Sequence, residues 1–104
     1  MNDLVPTEFY LGQNYPNPFK DKTTIKYCVA YKTRVRITVF NTEGDIIEKL
    51  VDEEKEAGTY KSEFPRAANI LLEDKSDKQL KNGNYLYRLE AGNYKREKEM
   101  KLIK

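Results

Sequence analysis

The side chains that most often carry chemistry are sparse in this chain, and their spacing assembles no reaction centre. There is no histidine. That removes an imidazole general base, a Ser-His-Asp triad and any histidine metal site. The single cysteine, Cys28, has no imidazole partner to activate it as a thiolate. It alternates with apolar neighbours and faces away from them, which makes it either a reactive surface thiol or, more plainly, a half-covered strand residue. Glu53-Glu54 and Glu73-Asp74 are paired acids in polar stretches, where carboxylates are ordinarily solvated. Asp74 and Asp77 lack the spaced oxygen ligands and the glycine of a calcium loop. Gly12, Gly44, Gly58, Gly83 and Gly92 stand isolated at turns and build no phosphate cradle. Tyr27, Tyr60, Tyr85 and Tyr87 could form a platform for a sugar or a base, but the alternation around them directs them inward. The expectation is a protein that is not an enzyme and holds no cofactor or metal.

The elements that position these residues are strands. Thr23–Val29 alternates strictly, with Ile25, Tyr27 and Val29 on one side and Thr24, Lys26 and Cys28 on the other. A period of two built from β-branched and aromatic residues marks a half-buried strand. Residues 34–40 repeat it, with Val35, Ile37 and Val39 facing in. The short connection Tyr31-Lys32-Thr33 makes these two strands expected neighbours. Asn41-Thr42-Glu43-Gly44 reads as a turn, with Gly44 free to take positive φ. In residues 46–51, Ile47 and Leu50 stand three apart, so a bulge, which favours an edge strand, is needed to restore phase. A helix over residues 46–56 is the rival, because Ile46, Ile47, Leu50 and Val51 also fit a 3.6 period. Glu56-Ala57-Gly58 is a turn, residues 59–64 form a strand with Tyr60 and Phe64 on one face, and Pro65 ends it. After the turn Asn82-Gly83-Asn84, residues 85–89 place Tyr85, Tyr87 and Leu89 together. Ala91-Gly92-Asn93 is a tight hairpin signal. Residues 94–103 close the chain with Met100 and Leu102 inward.

Six strands, or seven with one near Phe9 to Leu11, separated by short turns, predict an all-β, antiparallel β-sandwich or barrel. The connections are too short for parallel crossovers. Residues 66–82 do not fit the pattern and form an expected long loop or short helix, with 73–78 as an exposed tip.

The whole is one domain: 104 residues bury roughly 65% of the unfolded chain's surface, enough for one core and little room for a deep pocket. The hydrophobic share is 38% and the charged share 35%, so the core is lean. Lysine and arginine total 19 against 17 acids. The signs are interleaved, as in Lys95-Arg96-Glu97-Lys98-Glu99, so a dense solvated surface is expected rather than the one-sided basic face of a nucleic-acid binder. No run reaches the ~18 apolar residues of a transmembrane helix. Residues 1–11 show no basic segment followed by an apolar one, so no signal peptide is expected there. The chain is then either cytoplasmic or the excised tail of a longer exported protein.

Gly12-Gln13-Asn14-Tyr15-Pro16-Asn17-Pro18-Phe19, followed by Thr23-Thr24-Ile25-Lys26-Tyr27, resembles the start of the C-terminal sorting domains of the type IX secretion system, the Por secretion tails. The resemblance continues through Val39-Phe40-Asn41 to Gly44, through residues 50–60, through residues 83–89 as the penultimate strand and residues 98–104 as the last. It covers nearly all of the chain outside residues 1–10 and 66–81. Three departures stand out: Lys20-Asp21-Lys22 replaces the family's usual Asn-Pro-Ser, the loop before Gly83 is long, and the large cargo that normally precedes such a module is not expected within residues 1–11.

The resemblance implies an immunoglobulin-like sandwich of about seven strands over residues 12–104, related to a domain of flagellar hook-capping proteins, with residues 1–11 as an extension or first strand. It implies a sorting role: the outer-membrane translocon and surface-attachment machinery recognise the folded tail of a cargo that has reached the periplasm on its way to the cell surface. The carriers it implies are Gly83, Tyr85, Arg88, Lys98, Met100, Lys101, Leu102, Ile103 and Lys104, acting through a strand edge and exposed side chains. For Tyr85, Met100 and Leu102, plain core filling is the equal alternative. A stand-alone protein-binding or assembly module of the hook-capping type is the second functional expectation, favoured by the long loop. Beside the resemblance, Pro16 and Pro18 stiffen the entry to the sandwich, Tyr15 and Phe19 are expected to plug the open end of the core, and Asn17 to cap a turn.

Overall fold

Alternation sorts the side chains of Thr23–Val29, Thr33–Asn41 and Gly83–Ala91 into a buried row and a more exposed one. The computed structural model describes residues 8–65 and 80–104. In chain order the strands are β1 (Tyr10–Leu11), β2 (Thr23–Val29), β3 (Thr33–Asn41), β4 (Ile46–Lys55), β5 (Gly58–Phe64), β6 (Gly83–Ala91) and β7 (Tyr94–Leu102). They form two antiparallel sheets, β1-β2-β5 and β4-β3-β6-β7, packed as an immunoglobulin-like sandwich. No helix occurs among the described residues, so the helical alternative for residues 46–56 is excluded. Residues 66–79 of the expected loop lie outside the described residues.

The interior is the sum of the inward rows. Ile25, Val29, Val35, Ile37, Val39, Phe64, Tyr87 and Leu89 are fully buried, and Tyr27, Ala91, Met100 and Leu102 nearly so. Aromatic rings fill the volume between sheets: Phe19 meets Phe64 edge-on at 6.1 Å between centroids, and Tyr27 stacks on Tyr60 at 5.5 Å. The tyrosines are core, as alternation indicated, with Tyr60 half-buried at the margin.

The phase slip in β4 is repaired as expected, by bulges on an edge strand. Ile37 faces Val51 while Thr38 faces Lys49, and Val39 faces Glu48 while Phe40 faces Ile46. Leu50 and Ile47 are the extra residues, and Leu50 turns into the core.

One expected pairing does not form. β2 and β3 lie in different sheets, so the short link between them crosses the sandwich instead of making a hairpin. Tight hairpins need positive φ in the turn. The β3–β4 turn has Gly44 at +91° and the β6–β7 turn has Gly92 at +58°. Tyr31-Lys32 offers neither glycine nor asparagine, and β2 takes β5 as its long partner, Thr23 opposite Phe64 through Val29 opposite Gly58.

Residues 12–19 tie the two sheets together. Leu11 lies opposite Tyr27 and Tyr15 opposite Thr24. Four steps on one side match three on the other, and the resulting bulge turns Asn14 inward. Its Nδ2 donates to Thr23 Oγ1 at 2.9 Å and to the Pro16 carbonyl at 3.2 Å. The Thr23 hydroxyl donates to the same carbonyl at 2.8 Å, and Gln13 Nε2 donates to Asn14 Oδ1 at 2.8 Å. From the opposite sheet the Tyr87 hydroxyl accepts the Asn14 backbone N–H at 2.8 Å and donates to the Gly12 carbonyl at 2.7 Å. Asn14 and Thr23 are buried, so each of these bonds satisfies a group that has no water to turn to. The same bulge settles the plug. Phe19 is 1% exposed and fills the end of the core, whereas Tyr15 is 80% exposed, because its two-way backbone pairing with Thr24 directs its ring outward.

Two outcomes follow from this packing. Tyr87→Phe keeps the ring but strands the Asn14 N–H and the Gly12 carbonyl, and urea titration should show a loss of about 2 kcal/mol; a change below about 0.5 kcal/mol would mean those groups are satisfied otherwise. Burial pushes the phenols of Tyr27 and Tyr87 up to about 12, opposed at Tyr87 by the hydrogen bond from Asn14. Unfolded tyrosine ionises near pH ~10, so the stability these neutral phenols contribute is complete below pH ~10 and is lost as pH rises towards 12. Absorbance at the phenolate band should show these two rings ionising together with alkaline unfolding, not before it.

Candidate functional site

The residues singled out as carriers come together on one antiparallel pair. Gly83 lies opposite Leu102, Tyr85 opposite Met100, and Arg88 opposite Glu97. Gly83 opens β6 at φ +141°, a backbone conformation that any side chain would disfavour. Tyr85, Met100 and Leu102 face the core, at 6%, 1% and 1% exposure, and the Tyr85 hydroxyl donates to the Lys81 carbonyl at 2.6 Å. Lys101, Ile103 and Lys104 are at the surface, and Arg88 and Lys98 are half-buried.

The outer face of the four-stranded sheet is ordered in rows. One row reads Asp52, Arg36, Glu90, Lys95, alternating in sign across all four strands. Arg34 Nε donates to Asp52 Oδ1 at 2.9 Å and Arg36 Nε approaches it at 3.4 Å. The Arg34 hydrogen bond, with Arg36 beside it, holds the Asp52 carboxyl below the usual carboxylate range. In the next row Arg88 pairs with Glu97, Nε to Oε2 at 2.7 Å, while its guanidinium lies 4.7 Å over the Phe40 ring. The third row reads Ile46, Phe40, Leu86, Glu99. Ile46 is exposed and Phe40 and Leu86 are half-buried. Sequence reasoning did not count Ile46, Phe40 and Leu86 as site residues. Their signal was present: Phe40 and Leu86 are apolar residues on the outward phase of their strands.

The outer edge of β7 is closed over its last third by residues 13–19, which run alongside it. Gln13 Nε2 donates to the Glu99 carbonyl at 2.7 Å. Asn17 Oδ1 accepts the Lys101 N–H at 3.0 Å. The Phe19 N–H donates to the Lys101 carbonyl and its own carbonyl accepts the Ile103 N–H, both at 2.9 Å. Asn17, expected to cap a local turn, instead terminates the edge of a strand 84 residues away. Alternation cannot reveal that partner, since it depends on how the bulge aims the segment. Beyond β7, the Lys104 N–H donates to Asn82 Oδ1 at 3.0 Å, which holds the terminal residues against the start of β6.

Of the remaining candidates, Cys28 is half-buried with Sγ 3.7 Å from Thr59 Oγ1, the plainer of its two readings. Glu53 is paired with Lys55 at 2.9 Å. Glu73, Asp74 and Asp77 lie outside the described residues. Among the described residues no helix is long and apolar enough to cross a membrane.

A family model described as a secretion system C-terminal sorting domain matches residues 13–65, just over half of the chain. The match begins at Gln13, the first residue of the segment that closes the edge of β7 by hydrogen bonds. No curated protein and no solved structure matches the chain. The chain belongs to the family of C-terminal sorting domains of the type IX secretion system.

Proposed function

We propose that the domain is a non-catalytic sorting and anchoring module, carried behind an exported cargo and engaged as a folded unit by the translocon and then by the surface-attachment machinery. The observation that carries this reading is the family match over residues 13–65. In this reading the carriers divide their labour. Gly83, Tyr85, Met100 and Leu102 shape the β6–β7 pair from within. Arg88, Lys98, Lys101, Ile103 and Lys104 offer charge and one apolar side chain to a partner. Ile103 is 42% exposed yet fixed through its backbone to Phe19, so little ordering entropy opposes its capture.

Fusion of residues 12–104 behind a periplasmic reporter, in a host with a working type IX system, tests the reading. The reporter should reach the cell surface. Lys101→Glu with Ile103→Asp, both at exposed positions, should cut export roughly tenfold, equivalent to about 1.4 kcal/mol of recognition energy, with the fold intact by circular dichroism. A wild-type fusion that stays in the periplasm would contradict the sorting role.

A further inference from the structure

The first half of β7 is built unlike its last third. Tyr94, Arg96 and Lys98 continue the inward phase of Met100 and Leu102, but there the space between the sheets is open. They face a shallow groove between the edge of β7 and the edge of β1. Phe9 and Tyr31 complete its wall: the Phe9 ring stacks on Tyr94 at 5.5 Å and meets Tyr31 edge-on at 5.0 Å, and Tyr31 remains 54% exposed. Two cations therefore stand where a core position would be. Among the described residues neither has a carboxylate partner, and the Arg96 guanidinium only overlies the Tyr94 ring at 5.8 Å.

The backbone beside them is also open. In an antiparallel ladder alternate residues direct their N–H and C=O to opposite sides. Residues 99, 101 and 103 turn theirs towards residues 13–19, so Lys95 and Glu97 point the same way. Among the described residues nothing bonds to that side of Lys95 or Glu97. β4 guards its own edge with two bulges, a device the first half of β7 lacks.

We propose that this half-edge and groove receive an acidic, extended segment of a partner polypeptide. The segment adds as a strand beside Lys95 and Glu97, sets carboxylates two residues apart against Arg96 and Lys98, and lays an apolar side chain two residues further on against Tyr94, Phe9 and Tyr31. The spacing follows from the period of two, and the mode is strand addition. A polypeptide is favoured over an anionic polymer because only a peptide supplies the donors and acceptors that the open edge lacks, and because Glu8 on the rim opposes uniform negative charge. The biological setting rests on the sorting role; the binding chemistry does not.

The test is a titration of the isotope-labelled 104-residue chain with a capped nine-residue peptide of alternating glutamate and threonine carrying one phenylalanine in the glutamate phase, followed by amide resonances. Shifts should concentrate at residues 94–98, and the Glu97 amide should gain exchange protection. Arg96→Glu with Lys98→Glu should weaken binding about tenfold or more while the Ile37 amide resonance stays in place. A peptide with lysine for glutamate should not bind. Equal binding by the double variant, shifts centred on β5 or on the outer sheet face, no binding, or binding of heparin in place of the peptide would each overturn the proposal. Reporter export by the wild-type fusion, read beside peptide binding by the wild-type chain, separates the two readings. Lost peptide binding in the wild type with intact export removes this site and leaves sorting standing; peptide binding with no export by the wild-type fusion does the reverse.

Discussion

Two separate ladders make this sandwich, and apolar contact alone would let them slide or splay. Residues 12–19 prevent this by bonding to both. On one side they extend the β2 ladder through Gly12 and Tyr15; on the other they edge β7 through Gln13, Asn17 and Phe19. Asn14 is the pivot. Its buried amide closes a ring with Thr23 and the Pro16 carbonyl while its backbone N–H meets Tyr87 from the opposite sheet. A buried network of this kind stabilises only when every member is satisfied, and each member here has its partner. The position of Phe19 in the core, and hence the closure of the end of the barrel-like interior, follows from it.

The strand framework was legible because three long strands have a clean inward row: Ile25, Tyr27 and Val29; Val35, Ile37 and Val39; Tyr85, Tyr87 and Leu89. Even the bulge in β4 was legible, since Ile47 and Leu50 cannot otherwise share a face. What alternation could not reveal was which sheet each strand joins. Tyr31-Lys32-Thr33 is as short as a hairpin loop, and only its want of a positive-φ residue marks it as a crossing. Tyr15 and Phe19 look equivalent as aromatic plugs. Their fates separate at a one-residue bulge, which inverts the phase between them. Asn17 looks like a turn residue because its partner, the Lys101 amide, lies at the far end of the chain.

The candidate surface was legible in the same uneven way. The β6–β7 pair could be placed from the resemblance, and Gly83 has a conformational reason to stand where it does. The apolar row of Ile46, Phe40 and Leu86 emerges only when register aligns three strands. The groove beside β7 needs more still. Arg96 and Lys98 look like members of an interleaved, solvated charge run, and their inward phase becomes meaningful only once the sandwich is seen to open between β1 and β7. The terminal strand is thus closed where the family motif reaches it and open where it does not. On the proposed reading, that asymmetry gives one strand both a fixed end and an edge that can receive a partner.

The central claim is that Asn14 holds the last strand. Amide hydrogen exchange of an Asn14→Ala variant, compared with the unchanged chain, addresses it most directly. The account requires the Lys101 and Ile103 amides to lose protection together while Ile37 in the central strand keeps its own. Protection at Lys101 and Ile103 that survives the substitution would show that β7 is secured by β6 alone, and that residues 12–19 merely lie along it.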